Sequence, residues 1–116
     1  MQEYNRRVVD TKADIDEKLA VIPEGELKSE IRLAMQAYVD ANTIWSTEAA
    51  TDFMNGRVVL MDFEPVRSIL AKYNVPPEYN GQRIGSSRLA DQKKALSIIY
   101  QDASIHLEKA TDLLRN

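Results

Sequence analysis

The chain has 116 residues, of which 44% are hydrophobic and 28% charged, and its formal net charge is −3. This length suits one domain with a proper core, so we expect residues 1–116 to form a single domain. The lack of cysteine excludes disulfides, thiolate catalysis and sulfur-based zinc sites, and the weak charge imbalance argues against a nucleic-acid binder.

The first periodic segment predicts an amphipathic helix over about residues 2–21. Apolar residues recur on one stripe from Tyr4 through Ile15 to Leu19, with charged residues largely off it. Pro23 follows and disfavours continuation, because proline suits the first turn of a new helix better than the end of an old one.

The longest apolar repeat predicts a second helix over about residues 24–54. Apolar residues recur at three- and four-residue steps from Leu27 to Phe53, with no proline or glycine after Gly25. The pair Asn55-Gly56 is expected to close this helix. A second apolar line lies roughly opposite the first, so we expect both sides to be covered and Trp45 to be buried; that line comprises Leu33, Ala37 and Ile44.

The next segment is harder to assign, because the short apolar run Val58–Met61 fits a strand or a helix. We interpret it as a buried turn leading to a third helix over about residues 63–73, with Asp62 as N-cap and Phe63 facing inward. Residues 74–86 then read as a loop rich in Pro, Gly and Asn.

A final helix is predicted over about residues 87–114, capped by Ser86 or Ser87. The resulting fold prediction is all-α. It is an elongated antiparallel helical bundle with two long helices (24–54 and 87–114), a medium helix (2–21) and a short helix (63–73).

Ile98 and Ile105 are the predicted partner-binding residues. They lie seven residues apart, almost opposite the main apolar stripe of the last helix, on an otherwise charged face. Such spacing favours contact with another helix, either of a partner protein or of a second copy of the chain. The alternatives are an intramolecular contact or two simply exposed isoleucines.

A small-anion site is predicted where the last helix was expected to begin. Free backbone N–H groups at a helix N-terminus bind phosphate, sulfate or carboxylate well, and four neighbouring side chains would add hydroxyls and positive charge: Arg83, Ser86, Ser87 and Arg88. The alternative is that a serine caps the helix while both arginines are solvated.

Other motifs are weaker. Pro76-Pro77-Glu78-Tyr79 matches a proline-rich recognition pattern, and the alternative is that nearby apolar and aromatic residues simply anchor the loop, namely Tyr73, Val75, Tyr79 and Ile84. His106 follows Asp102 by four residues and is interpreted as an acid-paired histidine on a helix flank, because no second ligand cluster accompanies it. We predict no metal site, cofactor or catalytic residue, since no known catalytic motif is present.

These patterns favour a non-enzymatic interaction or scaffold module that acts through an apolar helix face, with a homodimer as one form. The alternative is a ligand-sensing bundle that binds a small anion before the last helix. A third hypothesis is an acid/base enzyme using Asp102, His106 or Tyr100.

The chain is expected to be soluble, because no apolar run approaches the ~20 residues that span a bilayer. The N-terminal residues also lack the apolar region of a signal peptide. We therefore expect a cytoplasmic protein by default, although an exported protein would look the same if Met1 followed a removed signal.

Overall fold

A computed structural model describes Glu17 and residues 24–115. Within these residues the chain forms three α-helices and a curled, four-stranded antiparallel sheet, so the all-α prediction is wrong. The predicted helix over residues 2–21 lies outside the described residues apart from Glu17, which is helical. No helix in the described part of the chain is long and apolar enough to cross a membrane.

Two pairs of strands separate the three helices along the described chain. In order they are α1 (Glu26–Ser46), β1 (Ala50–Phe53), β2 (Gly56–Leu60), α2 (Val66–Lys72), a short 3-10 turn (Tyr79–Gly81), β3 (Arg83–Ile84), β4 (Ser87–Asp91) and α3 (Gln92–Arg115).

Helix α1 ends at Ser46, well before the predicted end near residue 54. The Thr47 side chain accepts a hydrogen bond from the Ala49 N–H (3.2 Å), and the Thr47 carbonyl accepts one from the Ala50 N–H (3.3 Å). Threonine readily forms such local bonds, which compete with continued helix. The chain therefore turns here and enters strand β1.

Strands β1 and β2 form a tight hairpin where the helix end was predicted. Phe53 pairs with Gly56, so Met54 and Asn55 are the two turn residues, with φ angles of 48° and 68°. Positive φ at both central positions characterises the type I′ turn, which matches the twist of antiparallel strands. Asn55 thus supplies the left-handed residue of a hairpin rather than of a helix end.

The apolar run expected to be a buried turn is strand β2 and the residue after it. The strand lies at the centre of the sheet, whose order is β1-β2-β4-β3. Val58 and Val59 are both fully buried although they point to opposite faces. Because both faces are covered, the strand lacks the alternation of apolar and polar residues that would have identified it.

Helix α2 is shorter than predicted but presents the expected inward side, since Val66, Ile69 and Leu70 are buried. Phe63, also predicted to face inward, is 52% exposed and precedes the helix. Glu64, not Asp62, bonds to the first turn, because its carboxylate accepts a hydrogen bond from the Ser68 N–H (2.8 Å).

Strand β4 occupies the residues expected to begin the last helix. Ser87 pairs with Ile84 across a two-residue turn, and α3 begins at Gln92 directly after the strand. The cap is Asp91, whose carboxylate accepts a hydrogen bond from the Lys94 N–H (2.9 Å). The predicted caps Ser86 and Ser87 were therefore wrong.

The chain divides into two compact units, residues 43–99 and residues 1–42 with 100–116. The first contains the sheet, and its largest fully buried side chains are Ile44, Leu70, Leu89, Ile99, Val58, Val59 and Val66. In the second, small residues of α1 and α3 are buried, namely Ala34, Ala37, Ala41, Ala103 and Ala110. The predicted second apolar line is buried at Ala37 and Ile44, whereas Leu33 is 43% exposed.

Candidate binding groove at Trp45

Trp45, expected to be buried, is 41% exposed. It is the penultimate residue of α1, and the chain turns into the sheet instead of continuing as helix. The residues predicted to continue this helix to about residue 54 instead form a turn and strand β1. An exposed tryptophan in a folded chain marks a surface where apolar area is available to another molecule.

Trp45 forms one wall of a depression of about 500 Å³, which we call the Trp45 groove. Its lining comes from the end of α1, the β1–β2 hairpin and the start of α3: Trp45, Asn55, Gly56, Arg57, Asp91, Gln92, Lys93 and Leu96. The groove thus combines an aromatic wall and an apolar side chain with polar and charged groups, which is a common composition for a binding site.

Gln92 fixes the Trp45 wall to the start of α3. Its side chain is 5% exposed, and its amide donates hydrogen bonds to the carbonyls of Ile44 (2.9 Å) and Trp45 (3.3 Å). The last carbonyls of a helix have no partner within the helix, so a buried donor here satisfies groups that would otherwise be costly.

Asp91 also lines the groove, and it joins the sheet to the start of α3. It pairs with Val58 in the sheet and caps α3 through the Lys94 N–H. Burial, followed by the nearby Asp91 carboxylate, raises the pKa of the Tyr79 phenol above its usual value. Asp91 therefore interacts with strand β2, with the first turn of α3 and with the Tyr79 phenol.

Two cations line the groove. Arg57 is paired with Asp52 across the hairpin (3.2 Å), but the two side chains are 49% and 89% exposed. Such solvent-exposed pairs contribute little and exchange readily for another anion. Lys93 is exposed and forms no ion pair with any residue that the structure describes.

A second depression of about 450 Å³ adjoins the groove, since Asp91 and Lys93 line both. Its other lining residues are Glu78, Tyr79, Lys94 and Ser97. Glu78 is paired with Lys94 (2.5 Å), and the Tyr79 ring packs edge-on against Phe53 with centroids 5.2 Å apart. The contact with Phe53 supports the interpretation of Tyr79 as a residue that anchors the loop.

The predicted anion-site residues lie together in the β3–β4 hairpin, not at a helix N-terminus. Arg83 donates to the Ser86 carbonyl (2.8 Å), and the buried Ser87 hydroxyl donates to the Arg88 carbonyl (2.9 Å). The Arg88 guanidinium binds the Asp62 carboxylate, with a shortest distance of 2.8 Å. The last helix begins at Gln92, after these residues, and the charge of Arg88 is balanced by Asp62.

The predicted partner residues both lie on α3. Ile98 is half-buried and Ile105 is 45% exposed. His106 on the same helix pairs through Nδ1 with Glu30 (2.5 Å) and through Nε2 with Asp102 (3.5 Å). Among the described residues, no group of His, Asp and Glu side chains is arranged to hold a metal ion.

No protein-family model, curated protein or solved structure matches the chain. The groove itself was missed from the sequence, because it depends on the hairpin. The alternation of Thr51 and Phe53 before Asn55-Gly56 is a short hairpin signal that competed with the longer helical period. No local pattern marks Gln92, which is a polar residue buried by tertiary contacts alone.

Replacing Gln92 tests how the groove is held. Gln92→Leu keeps the volume roughly but leaves the Ile44 and Trp45 carbonyls without their donor, so we expect a loss of about 1–3 kcal/mol in the free energy of unfolding. Chemical denaturation measures it. Gln101→Leu, an exposed position on the same helix, is the control and should change stability little. Equal stability of both variants would contradict the role of Gln92.

The Asp62–Arg88 pair predicts a specific acid sensitivity. The side-chain and backbone hydrogen bonds from Arg88 lower the pKa of Asp62 from 3.8 to about 2. A lowered pKa stabilises the fold at pH values above the unfolded-state pKa, and this contribution disappears as the pH falls toward the folded-state pKa. Asp62→Asn should therefore lower Tm at neutral pH, and its difference from the unsubstituted chain should shrink as the pH falls from about 4 to 2.

Thermal melts across this pH range measure the effect. Asp52→Asn is the matched control, because Asp52 is also paired with an arginine but is 89% exposed, and it should alter Tm little at any pH. A constant Tm difference for Asp62→Asn over the whole range would contradict the assignment.

Proposed function

We propose that this chain is a non-enzymatic protein-interaction module that binds a peptide segment of a partner protein in the Trp45 groove. The observation that carries the proposal is the exposure of Trp45, 41%, on a wall held in place by buried hydrogen bonds. A partly exposed tryptophan beside a depression is typical of residues that dominate the energy of protein interfaces.

The polar groups of the groove support binding rather than chemistry. The Asp91 carboxylate caps α3, and the Gln92 amide is bonded to two carbonyls of α1. Both groups therefore position the walls of the groove. A backbone that is already held in place lowers the entropic cost of binding, since the partner does not have to order the end of α1.

The groove is favoured over the two surfaces singled out in the sequence. Ile98 is half-buried, which reduces the apolar area that an Ile98–Ile105 face offers to a partner or to a second copy of the chain. Arg88 is already bound by Asp62, so an anion at the β3–β4 hairpin would have to compete with an internal carboxylate. Homodimerisation and anion binding remain untested predictions.

A peptide-display selection with an unbiased random library tests the proposal. Selected peptides should bind the chain and change the fluorescence of Trp45, the single tryptophan. Trp45→Ala should weaken binding at least about tenfold, as expected for a central aromatic contact worth more than ~1.4 kcal/mol.

Phe63→Ala is the matched control, because Phe63 is also an exposed aromatic residue (52%) but lines a different depression. It should leave peptide binding unchanged. Peptides that bind the Trp45→Ala variant as tightly as the unsubstituted chain, or a selection that enriches nothing, would contradict the proposal.

A further inference from the structure

We infer that the partner segment is acidic: it places an apolar side chain against Trp45 and carboxylates against Arg57 and Lys93. This inference rests on the proposed binding function of the Trp45 groove and adds the chemistry of its partner. It follows from the charges around the groove and from where they are placed.

The lining of the groove and of the depression that adjoins it carries one more cation than carboxylates, in a chain with a net charge of −3. The cations are Arg57, Lys93 and Lys94, and the carboxylates are Glu78 and Asp91. An excess of one charge is small, so the charges that are already paired within the chain decide which partner fits.

Both carboxylates are engaged within the chain. Glu78 is paired with Lys94, and Asp91 accepts the Lys94 N–H as the cap of α3. Lys93 forms no ion pair with a described residue, and the partner of Arg57, Asp52, is 89% exposed. A carboxylate of the partner would therefore meet Lys93, which has no ion-pair partner among the described residues. It would also meet Arg57, whose solvent-exposed pair with Asp52 is weak.

The position of Lys93 is unfavourable for the isolated chain. Gln92, Lys93 and Lys94 form the first turn of α3, and this turn contains no acidic residue. A helix N-terminus carries partial positive charge, so acidic side chains are stabilising there and lysines are not. Glu78 pairs with Lys94 and the Asp91 carboxylate offsets part of the positive charge at this helix end, but Lys93 forms no ion pair with a described residue. A carboxylate of an acidic partner would form an ion pair with Lys93.

One substitution should lower the affinity for acidic peptides without lowering the stability of the fold. Lys93→Glu places a favourable charge at the start of α3, so Tm should rise or stay the same, while affinity for acidic peptides should fall at least about tenfold. Lys109→Glu, an exposed position later on the same helix, makes the same charge change and should leave affinity unchanged within about twofold.

The experiment uses three display libraries with the same random apolar centre. Their flanking positions are biased to Asp and Glu, to Ser and Gln, or to Lys and Arg, and each is selected on the whole chain with counter-selection on Trp45→Ala. Peptides from the acidic library should dominate, lose affinity on Lys93→Glu and bind more weakly as salt is raised.

The outcomes distinguish the two proposals. If Trp45-dependent peptides come equally from the neutral library, or mainly from the basic one, the inference of an acidic partner is wrong. The proposed binding function is then still supported. Acidic peptides whose affinity is unaffected by Lys93→Glu overturn the inference of an acidic partner as well. If no library yields a Trp45-dependent peptide, the proposed function itself fails.

Discussion

The buried amide of Gln92 is the interaction on which the arrangement of the sheet-containing unit depends. It joins the last carbonyls of α1 to the first residue of α3, immediately after strand β4. Asp91, the residue before it, belongs to the sheet and caps the same helix. Two adjacent side chains thus set the positions of a strand and two helix ends, and the Trp45 wall follows from them.

The sequence predicts the helices better than the sheet, for a physical reason. The body of α1, the inward residues of α2 and most of α3 follow a helical period, because each helix buries one side. Strand β2 is covered on both faces at Val58 and Val59, so it lacks a period of two. Strand β1 keeps apolar residues at spacings that also fit a helix, and its pairing with β2 decides the outcome.

The site was predicted less well than the fold, because it is assembled from residues far apart in sequence. Trp45 was recognised as a distinctive side chain, but its exposure depends on where α1 ends. Arg57 lines the groove because it lies in the β1–β2 hairpin. Lys93 lines it because α3 begins at Gln92 rather than at residue 87. Because α3 begins a few residues later than predicted, the residues of the predicted anion site lie in the β3–β4 hairpin, and Lys93 lines the Trp45 groove instead.

Trp45 lies at the surface, beside a sheet, rather than inside a helical bundle. Because the chain has a single tryptophan, its fluorescence reports on this residue alone. The most direct measurement is the quenching of this emission by acrylamide in the folded chain, at concentrations that leave the circular dichroism unchanged. The structure predicts red-shifted emission that acrylamide quenches efficiently; blue-shifted emission that resists quenching would contradict the account.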